Sequence, residues 1–227
     1  GIRERLLSRG LEMCIRDSSM TGEHPEKYKA FIFIGAPGCG KGTQGKILGS
    51  IPRIYHFAMG DAFRSMDTRT PIGQEFVSYS RKGELVPDEL TVRYFKIQVD
   101  ARANLHMFKP DIDIMILDGI PRSMEQAKLL EDHVEVLQLF HLSCPNRDEL
   151  ITRIRKRSLK EGRMDDAIDD VIQKRIKTYE DETKDLLDYY SDRRTDINAN
   201  QFPLKVTHDI LGDILNHPEW QEFAGEI

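Results

Sequence analysis

Cysteine, long apolar runs and excess positive charge are all scarce in this chain. Its three cysteines, Cys14, Cys39 and Cys144, are odd in number and show no C-x-x-C spacing. That excludes a disulfide framework or a thiolate metal site as the organising principle and reads as a reduced, intracellular protein. No apolar run approaches the ~18 residues of a membrane span, and none forms the apolar centre of a secretory signal. Lys and Arg number 33 against 38 Asp and Glu, a formal net charge of -5. The chain therefore lacks the basic footprint of a nucleic-acid binder, although arginines can still cluster locally. No repeat, low-complexity tract or long linker divides it. The expectation is a soluble cytoplasmic protein that works on small molecules, with neither nucleic acid nor membrane as a partner.

What is present suffices for one large α/β domain: 227 residues, 39% of them hydrophobic. Residues 1–19, GIRERLLSRGLEMCIRDSS, sit poorly with the rest, because Met20-Thr-Gly-Glu-His reads as an ordinary start just before the first strand. They are taken as a leader or non-native segment; Glu4 and Glu12 count against a targeting peptide. Residues 20–227 are then a single domain.

The stretch GAPGCGKGTQ, Gly35 to Gln44, nearly spells the phosphate-binding pattern G-x-x-x-x-G-K-[ST], except that Gly42 follows the lysine and Thr43 comes one later. Before it, Ala30-Phe-Ile-Phe-Ile34 has the apolar, β-branched and aromatic bias of a buried parallel strand. After it, Gln44 to Leu48 can start a helix. A glycine-rich turn between strand and helix aims several backbone N–H groups at one spot, where the helix dipole also favours an anion. The bland alternative is a tight turn with no ligand.

Further along, 60–66 and 72–79 read as short helices broken near Thr70-Pro71, and 88–108 as a longer helix with a carboxylate at its start. Ile112 to Asp118 and Val134 to Ser143 read as strands. Ser123 opens a helix with Gln126 in capping-box position. Residues 148–160 and 167–190 read as helices around a polar break, 202–207 as the last strand, and the tail as helix, with Trp220, Phe223 and Ile227 on its packing face. Strands alternating with helices predict a three-layer α/β/α fold on a central parallel sheet of about five strands.

Asp118 ends an apolar strand, where a carboxylate can organise waters around a magnesium ion or simply cap the Gly119 turn. Arg153 and Arg157 share one helix face. Arg163 falls in the polar break and Arg175 in the next helix, while Arg64 and Arg122 follow turn-like stretches. Planar guanidinium forks suit a polyphosphate in mid-transfer. His56, His141 and His208 are read as packed histidines, and Cys39 as a small residue that fits the loop.

Taken in order, GAPGCGKGTQ, Met59-Gly-Asp-Ala-Phe-Arg64, Gly83-Glu-Leu-Val-Pro-Asp88, Leu117-Asp-Gly-Ile-Pro-Arg122 with Gln126-Ala127, and Gly162-Arg-Met-Asp-Asp166 with Lys174-Arg175 resemble the adenylate kinase family of nucleoside monophosphate kinases. The resemblance runs from about Ala30 to Tyr190. That family's loop carries Gly-Thr after the lysine, so Gly42 followed by Thr43 is its usual form.

The resemblance implies a P-loop kinase fold with a helical acceptor-binding insert over about 58–88 and a short lid over about 158–168. It implies that Gly35, Gly38, Cys39, Gly40, Lys41, Gly42 and Thr43 cradle ATP, with Arg153 on or near its base. Lys41, Arg122, Arg157, Arg163 and Arg175 would serve the transferred phosphoryl group. Met59, Gly60, Arg64, Val86, Gly119, Arg122 and Gln126 would form the AMP site, Gln126 reading the base. Asp118 would meet Mg2+ through water.

Two departures stand out. Met59 occupies a place where adenylate kinases usually have threonine and pyrimidine-type relatives alanine. The short lid lacks a cysteine set, so no structural zinc is expected. The reaction implied is reversible transfer of the ATP γ-phosphoryl to AMP by a monomer, with Gly60 and Gly162 as pivots of closing lobes. Asp165 and Asp166 would latch the lid or cap the helix after it. A pyrimidine or broad monophosphate kinase, or a catalytically silent nucleotide sensor, stays open beside it.

Overall fold

The computed structural model describes residues 25–82, 85–160 and 168–224. Gly83, Gly162, Arg163, Asp165, Asp166 and Ile227, along with residues 1–19, lie outside that description. In chain order the elements are β1 (Tyr28–Gly35), α1 (Lys41–Leu48), β2 (Ile54–Ala58), α2 (Met59–Arg64), α3 (Pro71–Lys82) and α4 (Asp88–Asn104). They continue with β3 (Ile114–Asp118), α5 (Met124–Leu130), β4 (Val134–Ser143), α6 (Arg147–Lys160), α7 (Asp169–Tyr189), β5 (Arg194–Asn198), α8 (Pro203–Asn216) and α9 (Pro218–Ala224).

All five strands pair in parallel, in the order β2-β3-β1-β4-β5. The central strand shows why. Successive strand side chains point to opposite faces, and in β1 Ala30, Ile32 and Ile34 enter one core while Phe31 and Phe33 enter the other. A strand covered on both faces must be apolar at every position, which is the origin of the run AFIFI. Leu90, Phe95 and Val99 of α4 and Ala127 and Leu130 of α5 close the first core. Leu48 of α1, Leu150 and Ile154 of α6, and Val206, Ile210 and Ile214 of α8 close the second. Helix α7 serves both, sending Ile172 and Ile176 to the second and Leu186 to the first. Each buried Leu, Ile or Phe contributes about 1.5–3 kcal/mol.

This topology positions a site. The chain leaves β1 for β2 on one edge, then passes from β3 across β1 to β4, so the direction of travel reverses between β1 and β3. Open parallel sheets bind ligands beyond the carboxyl ends of the strands at such a point. Gly35 closes β1, while Asp118 closes β3, in register with Phe33 of β1 and Ala58 of β2.

The expected strand over 202–207 is a correction: Pro203 starts helix α8 there. Proline is suited to the first helical turn, and the buried stripe Val206, Ile210, Ile214 has helical spacing. The fifth strand is instead Arg194–Asn198, a polar edge segment in which only Ile197 is buried. Strand β2, the opposite edge, lies where no strand was expected. The helix expected over 88–108 stops at Asn104, ahead of a turn in which His106 has φ 54. Trp220 packs partly buried against the second core, as its position in the tail helix predicts.

Candidate active site

The loop from Gly35 to Gly40 is shaped by two left-handed backbone positions, Gly38 at φ 83 and Gly40 at φ 107. A side chain is strained at either. At Gly38 space is short as well, since a Cβ would stand 2.9 Å from Ile154 Cγ1 and 3.1 Å from the Leu150 carbonyl. Gly40 caps α1 without any side-chain hydrogen bond, so the first amides of that helix are turned into the loop. Lys41 folds back over it, its Nζ donating to the carbonyls of Gly35 (2.5 Å) and Ala36 (3.2 Å). Cys39 is buried in the second core, which fits the reading of a small packing residue. Gly42 lies close to the next element of the site, a Cβ there falling 3.5 Å from Asp118 Oδ2. That is ordinary contact, so sterics alone do not demand glycine after the lysine.

Asp118 is half-buried at the end of β3. Burial pushes its carboxyl up, but the adjacent His56 and the charges of Lys41 and Arg122 outweigh this and hold it below the ordinary carboxylate value. His56 Nε2 lies 3.7 Å from Asp118 Oδ2, an ion-pair distance rather than a hydrogen bond, and it is a buried nitrogen with no hydrogen-bond partner. The ring fits because Gly45 of α1 leaves room for it. Reading His56 as merely packed missed this neighbour.

The Gly119–Arg122 turn carries the site toward α5. Arg122 Nε donates to the Gly119 carbonyl (3.0 Å), and a Cβ on Gly119 would lie 3.4 Å from Arg122 Nη2 and 3.8 Å from Met59 Cβ. Arg122 is open to solvent along the cleft yet crowded by protein around it. That crowding lowers its guanidinium from the ordinary value; Asp118 and Glu182 oppose the shift and Arg175 of α7 deepens it. The lysine of the glycine-rich loop, the strand-end carboxylate and the turn arginine thus converge on the crevice between β1 and β3.

A family model described as adenylate kinase matches residues 33–195. The chain is 38% identical over 185 residues to "Adenylate kinase 1" of Nostoc sp., covering 79% of this chain and 95% of the relative. It is 39% identical over 177 residues to adenylate kinase of Mycolicibacterium smegmatis and 40% identical over 178 residues to that of Mycolicibacterium paratuberculosis. Each of these two matches covers 74% of this chain and 89% of the relative. The chain belongs to the adenylate kinase family.

The remaining expected site residues of this family member fall into two groups. Met59 is buried beside Gly60 and Gly119, and Val86 packs partly buried against the first core. Gln126 caps nothing but is tightly held: its Oε1 accepts from the Arg122 backbone N–H (2.8 Å) and its Nε2 donates to Asp88 Oδ1 (2.7 Å). Ser123 does cap α5, accepting from the Gln126 N–H. The expected capping box is thus half made, the glutamine reaching Arg122 rather than the cap residue. The outer arginines are less gathered. Arg64 pairs with Asp61, Arg153 with Glu149 and the Ala199 carbonyl (3.2 Å), and Arg157 and Arg175 are exposed on α6 and α7. Thr43 is exposed at the start of α1.

Other sequence readings resolve away from the cleft. His141 is held by Asp196 (2.7 Å) and Tyr179 (3.0 Å). His208 is a correction: its side chain is 76% exposed, on the solvent side of α8, so it does not pack. Among the described residues no three His, Cys, Asp or Glu side chains gather as metal ligands, and no helix is long and apolar enough to cross a membrane.

Proposed function

We propose that this chain catalyses the reversible transfer of the γ-phosphoryl group of Mg-ATP to AMP, giving two ADP. The observation that carries the reading is the convergence of the Gly35–Lys41 loop, Asp118 and Arg122 on the sheet's switch point in a member of the adenylate kinase family. The AMP phosphate oxygen attacks the γ-phosphorus, the bond to the β–γ bridging oxygen breaks, and ADP leaves. No protein nucleophile is required, since positioning and charge stabilisation supply the rate.

Lys41 trades its loop carbonyls for phosphate oxygens and follows the group in flight. Gly35, Gly38, Cys39, Gly40, Gly42 and Thr43 offer ATP the loop's backbone and the α1 N-terminus, and Arg153 lies against the donor base. Arg64 and Arg122 grip the acceptor phosphate, while Arg157, Arg163 and Arg175 close from the lid. Met59, Gly60, Val86 and Gly119 shape the acceptor pocket, and Gln126 reads its base. Asp118, held anionic, fits a magnesium ion carried mainly by phosphates and waters. When bound, that ion neutralises phosphate charge. Segments 58–88 and 158–168 close over the site to exclude water. A cytoplasmic monomer without structural zinc completes the reading.

The test is ADP production from Mg-ATP with AMP, dAMP, CMP, UMP and GMP supplied separately, and Lys41→Ala as control. Turnover centred on AMP and dAMP, lost in the control, supports the proposal. Preference for CMP or UMP, or tight ATP binding without turnover, overturns it.

A further inference from the structure

The amide of Gln126 is held by two partners of opposite kind. A backbone N–H can only donate, and the one on Arg122 meets Oε1 at 2.8 Å. A carboxylate can only accept, and Asp88 Oδ1 meets Nε2 at 2.7 Å. Turning the amide over would set oxygen against carboxylate and NH2 against N–H, two repulsive contacts in place of two bonds. Asp88 is itself anchored: its Oδ2 accepts the Ser123 hydroxyl at 2.8 Å. That hydroxyl in turn accepts the Gln126 backbone N–H at 3.1 Å. Asp88 also sits in the first turn of α4, where the helix dipole favours a carboxylate. Gln126 as a whole is 8% exposed, and neither the second Nε2 hydrogen nor the second Oε1 lone pair has a partner among the described residues.

A free glutamine amide can rotate to match either order of donor and acceptor on a base. A locked one cannot. We infer that Asp88 is a specificity-determining positioning residue, which fixes the Gln126 amide so that it accepts 6-amino purine monophosphates and rejects their 6-oxo counterparts. The inference rests on the reading that Gln126 faces the acceptor base. Adenine sets an N6–H donor beside a ring-nitrogen acceptor, the pattern that a glutamine amide meets with both its atoms. Hypoxanthine puts an oxygen where that donor was, so it leaves Oε1 facing an acceptor. The rejection comes from the protein's inability to reorganise, because the unpaired polar group cannot be rescued by rotation.

The test compares kcat/KM for AMP and IMP in the full chain and in Asp88→Asn. An asparagine at 88 can present oxygen or NH2 to Gln126, which removes one of the two contacts that hold the amide and leaves only the Arg122 N–H opposing a turn. The AMP:IMP ratio should fall about tenfold or more, the worth of one good bidentate pair, through KM for the monophosphates while KM for ATP holds. Losing the Asp88 charge bears equally on both acceptors and so leaves the ratio alone. A ratio unchanged in a folded Asp88→Asn protein, but collapsed in Gln126→Ala, overturns the lock and leaves the base-reading role intact. A ratio unchanged in Gln126→Ala overturns both.

A second measurement needs no change at 88. In the 15N-labelled wild-type protein, AMP should shift one Gln126 side-chain amide proton while the other, on Asp88, stays protected from exchange. Two protons exchanging alike would overturn the lock.

Discussion

On the β1 side of the cleft, where we propose that ATP phosphates bind, the chain presents backbone: left-handed turns at Gly38 and Gly40, the open N-terminus of α1, and a lysine folded over the carbonyls of Gly35 and Ala36. On the α4–α5 side the work falls to side chains, with Asp88, Ser123, Gln126 and Arg122 joined across separate elements. The contrast suits the ligand groups proposed for each half. A phosphate shows the same oxygens on every nucleotide and is satisfied by any fan of N–H groups. A base differs from its rivals by the placement of one donor or acceptor, which only oriented side chains can discriminate. Backbone recognition should therefore fail abruptly under small changes, and the side-chain half should fail gradually and selectively.

The sharpest break is Gly38→Ala. Left-handed backbone costs an L-residue about 1–2 kcal/mol, and the new Cβ would stand 2.9 Å from Ile154 Cγ1, overpacking that costs about 1–3 kcal/mol more. A loss of about 2–5 kcal/mol in chemical denaturation, with weakened ATP binding and the AMP:IMP ratio intact, is expected. A mild loss would mean that the loop yields more easily than its geometry implies.

Next comes Gly45→Ala, one turn into α1. Alanine is the better helix former by about 1 kcal/mol, yet its Cβ would fall 2.2 Å from His56 Nε2. The ring must leave its place beside Asp118, an overpacking cost of about 1–3 kcal/mol set against that gain. Combining the change with His56→Ala should cancel that cost and reveal the helix-propensity gain, a coupling that a double-mutant cycle in thermal unfolding reads directly. Ser123→Ala probes the other half. Removing the cap costs about 1 kcal/mol and leaves Asp88 held by Gln126 alone. A shift in melting temperature as large as that of Gly38→Ala would erase the distinction between the halves.

The same contrast governs what could be read in advance. The backbone half was legible because its signal is local: strand, glycines and lysine follow one another within GAPGCGKGTQ, and Asp118 ends a continuous apolar strand. The side-chain half was only partly legible. Asp88 was visible as a helix-start carboxylate, but its bond to Gln126 spans 38 positions with no periodic pattern joining the two. Sheet strands divide similarly. β1 and β3 are flanked on both sides and read as apolar runs, while β4, also flanked, is apolar at most positions but carries Glu135, Gln138 and His141. The edges β2 (IYHFA) and β5 (RTDIN) bury only some of their residues and carry mixed sequences. His56 reads only as a packed histidine because the edge strand that carries it to Asp118 has no continuous apolar signature. Over 202–207 six residues are too few to separate a strand from a helix, and the wider spacing of Val206, Ile210 and Ile214 is what marks the helix.

Edge strand β5 offers the smallest test of side-chain recognition. Partial burial pushes the Asp196 carboxyl up, but the hydrogen bonds and charges of His141 and Arg194 outweigh it and hold the group below its ordinary value. A carboxyl lowered on folding adds stability that is present above its unfolded pKa, about 3.9, and lost as pH falls through the lower folded value. The Asp196 side chain is 52% exposed, so solvent screening limits the effect to about 1 kcal/mol or less. Asp196→Asn should thus lower the melting temperature slightly at pH 6, and the gap to wild type should narrow as pH drops toward 3. A gap that stays constant would show that Asp196 holds the edge by hydrogen-bond shape alone, with its charge contributing nothing.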